Sequence, residues 1–264
     1  MRPTGQFDNH YAFLVGIDEY NDFPNLRGAH SDATTLRDAL LWVGYPENNI
    51  SLVSPAKTVL GDLKREIDEF LCKVSYKNSN PDILIFWAGH GVPAVHGGFL
   101  ITRNTMIDSD NWSDSAIRLG WLAKKFSDIS PASLAMFFDV CHSVPPRRAG
   151  LERPPRELIL DSMREAVLRD VVRTTFVGVS TFAYEVWSRA REGPGGTTGI
   201  LADALRRAMC GEKCNNRDNE RCHDDDFAVT DKRLVHKLEA VIDRIAEEVG
   251  VHERLFVRKH SVIP

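Results

Sequence analysis

The sequence has no long hydrophobic run. Nowhere in its 264 residues does an apolar stretch approach the ~20 positions that a membrane-spanning helix needs. The opening residues, MRPTGQFDNH, lack the apolar centre of a secretory leader, so a cytoplasmic protein is expected. An excess of charge of either sign is also missing. The 33 Lys and Arg face 37 Asp and Glu, a net charge of −4, which argues against a general nucleic-acid or anionic-membrane partner. Cysteine is sparse: Cys72, Cys141, Cys210, Cys214 and Cys222, odd in number and irregular in spacing. Such usage argues against a disulfide framework and fits reduced thiols. Internal repeats and linker-like segments are lacking as well. The reading is therefore one domain over 1–264, with exposed loops at 143–157 and 210–226.

What is present is an alternation of strand and helix patterns. YAFLVGID, NISLVS, DILIFWAGH, SLAMFFDVC, TTFVGVST and ERLFVRK read as strands, and GGFLIT as a short hairpin strand. Between them lie helical patterns: SDATTLRDALLWVG, with Ser31 or Asp32 as N-cap, and TVLGDLKREIDEFLCKV, with Leu60, Leu63, Ile67, Phe70 and Leu71 facing inward. Cys72 falls on that apolar stripe and reads as a small core residue. RLGWLAKKFSDI, GILADALRRAM and DKRLVHKLEAVIDRIAEEV complete the helices. This order predicts an α/β fold: a three-layer sandwich around a mainly parallel sheet of about six strands, with helices on both faces. Sites in such sheets gather beyond the C-terminal strand ends, where Asp18, His90 and Cys141 are expected.

His90 stands between Gly89 and Gly91 at the end of LIFWAGHG, and Cys141 ends LAMFFDVC roughly fifty residues on. A cysteine is a strong nucleophile only as thiolate, and a nearby imidazole supports that state or carries its proton. Small neighbours leave room for a substrate backbone and leave main-chain N–H groups to stabilise an oxyanion. Adjacent strands of a parallel sheet could bring the two residues together.

These stretches, LVGIDEY, LRGAHSDATTLRDAL, ILIFWAGHG and FFDVCHS, resemble the caspase-like cysteine peptidases over about residues 10–210. That clan holds caspases, metacaspases and paracaspases, and the pattern is most similar to prokaryotic metacaspase-like proteins. The resemblance implies a cysteine endopeptidase with Cys141 as nucleophile, His90 as catalytic histidine, and the N–H groups of Gly91 and Cys141 as oxyanion hole. His142 is a neighbouring structural residue. A third triad member is not required in this clan.

A pocket for Arg or Lys before the scissile bond needs buried carboxylates, because a desolvated cation must be paired. The resemblance assigns that role to Asp32, in GAHSD, and Asp139, in DVC. Caspases carry a pocket arginine where this chain has Leu26. Arg is the expected first choice and Lys the second, in protein or peptide substrates. Ala29 and Ala88 stand where the family commonly has Cys and Ser. Asp18, Tyr20, Trp87, Trp121, Tyr184 and Trp187 are candidates for lining subsites, although the aromatics read first as core.

No cofactor is expected. The Ca²⁺ that some relatives bind would need hard oxygen ligands, for which Asp108, Asp110 and Asp114 offer only part of a set. The spacing of Cys210, Cys214, Cys222 and His223 matches no common zinc site. Arg147, Arg148, Arg153 and Arg156 follow the nucleophile among prolines, so 147–156 is a candidate processing segment, cut by the protein itself or by an upstream protease. The resemblance also suggests a regulated proteolytic, cell-death or antiviral defence pathway. Two rival readings stay open: a silent caspase-like interaction module, and a protease dedicated to one partner protein.

Overall fold

The computed structural model describes residues 7–77, 80–94, 97–107, 112–142, 175–180, 191–193, 196–210 and 256–261. Its elements run β1 (His10–Gly16), α1 (Ala29–Val43), β2 (Ile50–Leu52), α2 (Leu60–Lys77), β3 (Asp82–Ala94), β4 (Gly97–Leu100), β5 (Ile117–Arg118), α3 (Leu119–Ser127), β6 (Ser133–His142), β7 (Thr175–Ser180), β8 (Arg191–Gly193), β9 (Gly196–Thr198), α4 (Ile200–Cys210) and β10 (Phe256–Ser261). The main sheet has the order β10-β7-β6-β3-β1-β2. All neighbours along it are parallel except β10, which pairs antiparallel with β7. Strand β4 turns back antiparallel on the end of β3, and β5 pairs with β4.

The near-continuous apolar runs of β1, β3 and β6 follow from burial on both faces. Tyr11, Phe13 and Val15, with Ile83, Ile85, Trp87, Met136 and Phe138, join α2 and α3 in one core layer. Ala12, Leu14, Leu84, Phe86, Ala135 and Phe137 join α1 and α4 in the other. Small residues mark that second face (Ala12, Ala88 and Ala135 on the sheet; Ala33, Ala202 and Ala204 on the helices) and admit a close approach of α1 and α4. On α2 the inward set Leu60, Leu63, Ile67, Phe70 and Leu71 is buried, as the 3.6-residue period predicts. Truncating the fully buried Ile67 to Ala should cost about 2–5 kcal/mol.

Several expectations need correction. Helix α1 begins at Ala29, and its N-cap is Gly28 rather than Ser31 or Asp32. The capping carboxylate comes from outside the helix: Asp18 accepts the Ala29 N–H at 2.8 Å and the His30 N–H at 3.2 Å. A distant acid can satisfy the orphan donors of a first turn as well as a local one. Cys72 is exposed, because it lies one position off the buried stripe of Phe70, Leu71 and Val74. Strands β3 and β6 run through His90 and Cys141 rather than ending before them, since β4 and the continued β3–β6 ladder supply further pairing. Cys210 is a buried residue at the end of α4, not part of an exposed loop. The rest of 210–226, all of 143–157 and the helix pattern at 231–249 lie outside the described residues.

Candidate active site

The parallel register of β3 and β6 sets Ala88 opposite Asp139, His90 opposite Cys141 and Gly91 opposite His142. Neighbouring strands lie roughly 4.8 Å apart, so this register alone makes positions 90 and 141 adjacent. Residues two apart on a strand share a face, so Asp139 follows Ala135 and Phe137 on the side of the sheet that carries α1 and α4.

His90 is buried and gripped by the loop that follows β1. Its Nε2 lies 2.7 Å from the Pro24 carbonyl oxygen. A carbonyl only accepts, so Nε2 carries the proton and Nδ1 is the basic nitrogen of the neutral ring. The His90 backbone N–H donates to the Tyr20 hydroxyl at 3.0 Å, and that hydroxyl donates to Ile17 O at 3.0 Å. The Tyr20 and His90 rings stand 4.6 Å apart. Burial pushes the imidazole below its ordinary pKa, opposed by the hydrogen bond to Pro24.

The two acids converge from different elements. Asp32 lies in the first turn of α1, buried, and its Oδ1 accepts the Gly199 N–H at 2.6 Å. A Cβ placed on Gly199 would stand 2.5 Å from Asp32 Oδ2 and 2.7 Å from Asp139 Oδ2. One point thus touches both carboxylates. Desolvation by burial pushes the Asp32 pKa up to about 8; the Asp139 charge adds to the rise, and the Gly199 N–H opposes it. Asp203, on the first turn of α4, contributes less and is itself paired with Arg206 and Arg207.

Residues 9–229 match the family model of the caspase domain. The chain belongs to the caspase-domain family.

The solved structure of pro-Sf-caspase-1 resembles this caspase domain with a TM-score of 0.52 at 11% identity, covering 99% of this chain and 94% of that one. At that identity the likeness establishes the fold. No curated protein matches the sequence.

Against the expectations from sequence, the caspase domain brings His90, Gly91, Cys141, Asp32 and Asp139 to one end of the sheet. Asp18 caps α1, and its charge also acts on the Asp32 carboxyl. Trp87 is fully buried, and Trp121 packs partly buried against the core. Tyr184, Trp187, Asp108, Asp110, Cys214, Cys222 and His223 lie outside the described residues, while Asp114 is exposed. Among the described residues no group of three or more His, Cys, Asp or Glu side chains could hold a metal ion. Nor is any described helix long and apolar enough to cross a membrane.

Sequence reasoning did not single out Pro24 or Gly199, and Tyr20 entered only as a candidate for lining a subsite. Pro24 acts through its carbonyl, which every residue type has. Gly199 acts by lacking a side chain, so neither carries a compositional signal. Gly89 offered a hint: a Cβ there would meet the Tyr20 hydroxyl at 2.7 Å, which accounts for a glycine just before the histidine.

Proposed function

We propose that this caspase-domain protein is a cysteine endopeptidase that cuts after basic residues, Arg before Lys. The observation that carries this reading is the pairing of His90 with Cys141 two residues beyond the Ala88–Asp139 pair, so that the proposed nucleophile, base and acidic pocket share one strand end. The Cys141 thiolate attacks the scissile carbonyl carbon. The main-chain N–H groups of Gly91 and Cys141 receive the developing oxyanion. His90 then gives its proton to the leaving amine and takes one from the water that cleaves the thioester.

The preference for a cation rests on Asp32 and Asp139. A guanidinium can bridge two carboxylates with several charge-assisted hydrogen bonds, and an ammonium makes fewer of them. Leu26 supplies no charge where caspases hold an acidic side chain with arginine. The substrates are proteins or peptides, and the setting is a regulated cytoplasmic pathway of proteolysis, such as cell death or antiviral defence.

Fluorogenic peptides ending in Arg, Lys, Asp or Gln test the reading, with Cys141→Ala as control. Turnover of Arg over Lys, with none of Asp and none in the control, supports it. Cleavage after Asp would overturn the specificity. Absence of turnover together with tight binding of an Arg peptide would favour the silent interaction module.

A further inference from the structure

The ladder between β1 and β3 breaks at His90. Ile17 N–H donates to Ala88 O at 3.1 Å, one residue beyond the last strand position of β1. In a regular parallel ladder the next bond would run from His90 N–H straight to Ile17 O. Here the Tyr20 hydroxyl stands between them, accepting from His90 N–H and donating to Ile17 O, both at 3.0 Å. On the same flank, His90 O already accepts from Ile101 N–H at 3.0 Å, just past β4. His90 is therefore the residue at which β3 changes partner, from parallel β1 to antiparallel β4, and a side-chain hydroxyl fills the handover.

Tyr20 is itself well held. Its N–H donates to Asn25 Oδ1 at 2.9 Å, and Leu26 N–H closes the loop onto Asp18 O at 2.8 Å. The same closed loop presents the Pro24 carbonyl to His90 Nε2. One loop thus holds the histidine at two points, its backbone and its ring. The glycine before His90 leaves the space that the hydroxyl needs.

We propose that Tyr20 is a positioning residue for His90: its hydroxyl, inserted between His90 N–H and Ile17 C=O, sets where the imidazole stands relative to Cys141. This rests on the reading of His90 and Cys141 as a working pair. Removing the hydroxyl leaves a buried N–H to find another partner, and the strands can close by one direct bond, which moves the ring. A displacement of about 1 Å at a reacting group is worth up to a hundredfold in rate.

The test is alkylation of Cys141 by iodoacetamide across pH, together with peptide kinetics, in wild type, Tyr20→Phe, His90→Ala and the double variant. Tyr20→Phe should lower kcat on an Arg peptide by about tenfold or more, with KM changed less than twofold. It should also move the inflection in the alkylation profile that depends on His90. In the His90→Ala background it should change nothing further, because a residue acting through another has no effect once that other is gone. Wild-type kinetics and profile in Tyr20→Phe, or an equal loss of alkylation rate in both backgrounds, would overturn the proposal. If wild type and His90→Ala alkylate alike, the pairing of His90 with Cys141 fails, and this proposal with it. Should Tyr20→Phe not fold, Asn25→Ala, which removes the acceptor of the Tyr20 N–H, should give a smaller shift in the same direction, again absent in the His90→Ala background.

Discussion

Asp32 accepts a hydrogen bond from the Gly199 backbone N–H at 2.6 Å, across 167 positions of chain. Through that bond the start of α4 holds the first turn of α1, and the same contact lets the Asp139 carboxylate approach from the sheet. Asp32 and Asp139 thus sit at a junction of three elements, and from it the proposed cation pocket takes a dependence on pH and a requirement for glycine.

Dependence on pH follows from the proton on Asp32. With its pKa pushed up to about 8, the empty pocket keeps that carboxyl protonated at neutral pH. A cationic side chain favours the ionised form, so binding below pH 8 releases a proton and tightens as pH rises. KM for an Arg peptide should fall from pH 6 to pH 8, and Asp32→Asn should raise KM and flatten the trend. Stability runs the other way. The native state holds a proton that the unfolded chain loses above about pH 4, so stability falls as pH rises from about 4 to about 8. Thermal melts of wild type and Asp32→Asn across that range check the sign: the variant should lose less.

Gly199→Ala should damage binding more than chemistry. The new methyl carbon would sit within 2.5–2.7 Å of both carboxylates, and Asp32 cannot retreat without giving up the N–H of that same residue. We expect KM for an Arg peptide to rise about tenfold or more, the loss of one to two charge-assisted hydrogen bonds. Steady-state kinetics that show an unchanged KM would contradict this account.

Burial of His90 has its own signature in the acid range. An imidazole with a lowered pKa stays neutral, and able to take the thiol proton, below the ordinary value of about 6.5. The His90-dependent inflection in Cys141 alkylation should therefore lie below pH 6.5 and vanish in His90→Ala. The linkage sign is again definite. The unfolded chain binds this proton first as pH drops, so His90 lowers stability as pH falls through 6.5, and His90→Gln should remove that component of the melt.

Arg147, Arg148, Arg153 and Arg156 carry the last prediction, made from sequence alone. A peptidase with an acidic pocket should cut its own chain within 147–156. Intact-mass spectrometry after incubation should show cleaved wild type and uncleaved Cys141→Ala. Identical masses, with the wild type active on peptides, would rule out self-processing.

How much of this was legible beforehand differs from residue to residue. His90, Cys141 and the strands that end near them stood out because buried strands and a glycine-flanked histidine leave a local trace in composition. Asp32 and Asp139 were named through resemblance to a family, yet their contact could not be read from spacing: 107 positions separate them, and only the packing of α1 and α4 against one face of the sheet closes the gap. The N-cap of α1 was misassigned because Asp18 reaches it from eleven residues away. Cys72 was misjudged because a stripe defined by period alone does not locate its own edge.

By itself the sequence determined the alternation of elements and the two-sided burial of β1, β3 and β6, and it singled out Cys141 and His90 as candidates, since periodicity and residue chemistry are local properties. Tertiary structure alone decided the register that sets His90 against Cys141, the grip of Pro24 and Tyr20 on the histidine, and the meeting of both acids at Gly199. Those depend on backbone carbonyls, on an absent Cβ and on hydrogen bonds between distant segments. Such contacts carry no signature in residue type, because the atoms that make them are common to every residue or missing from one.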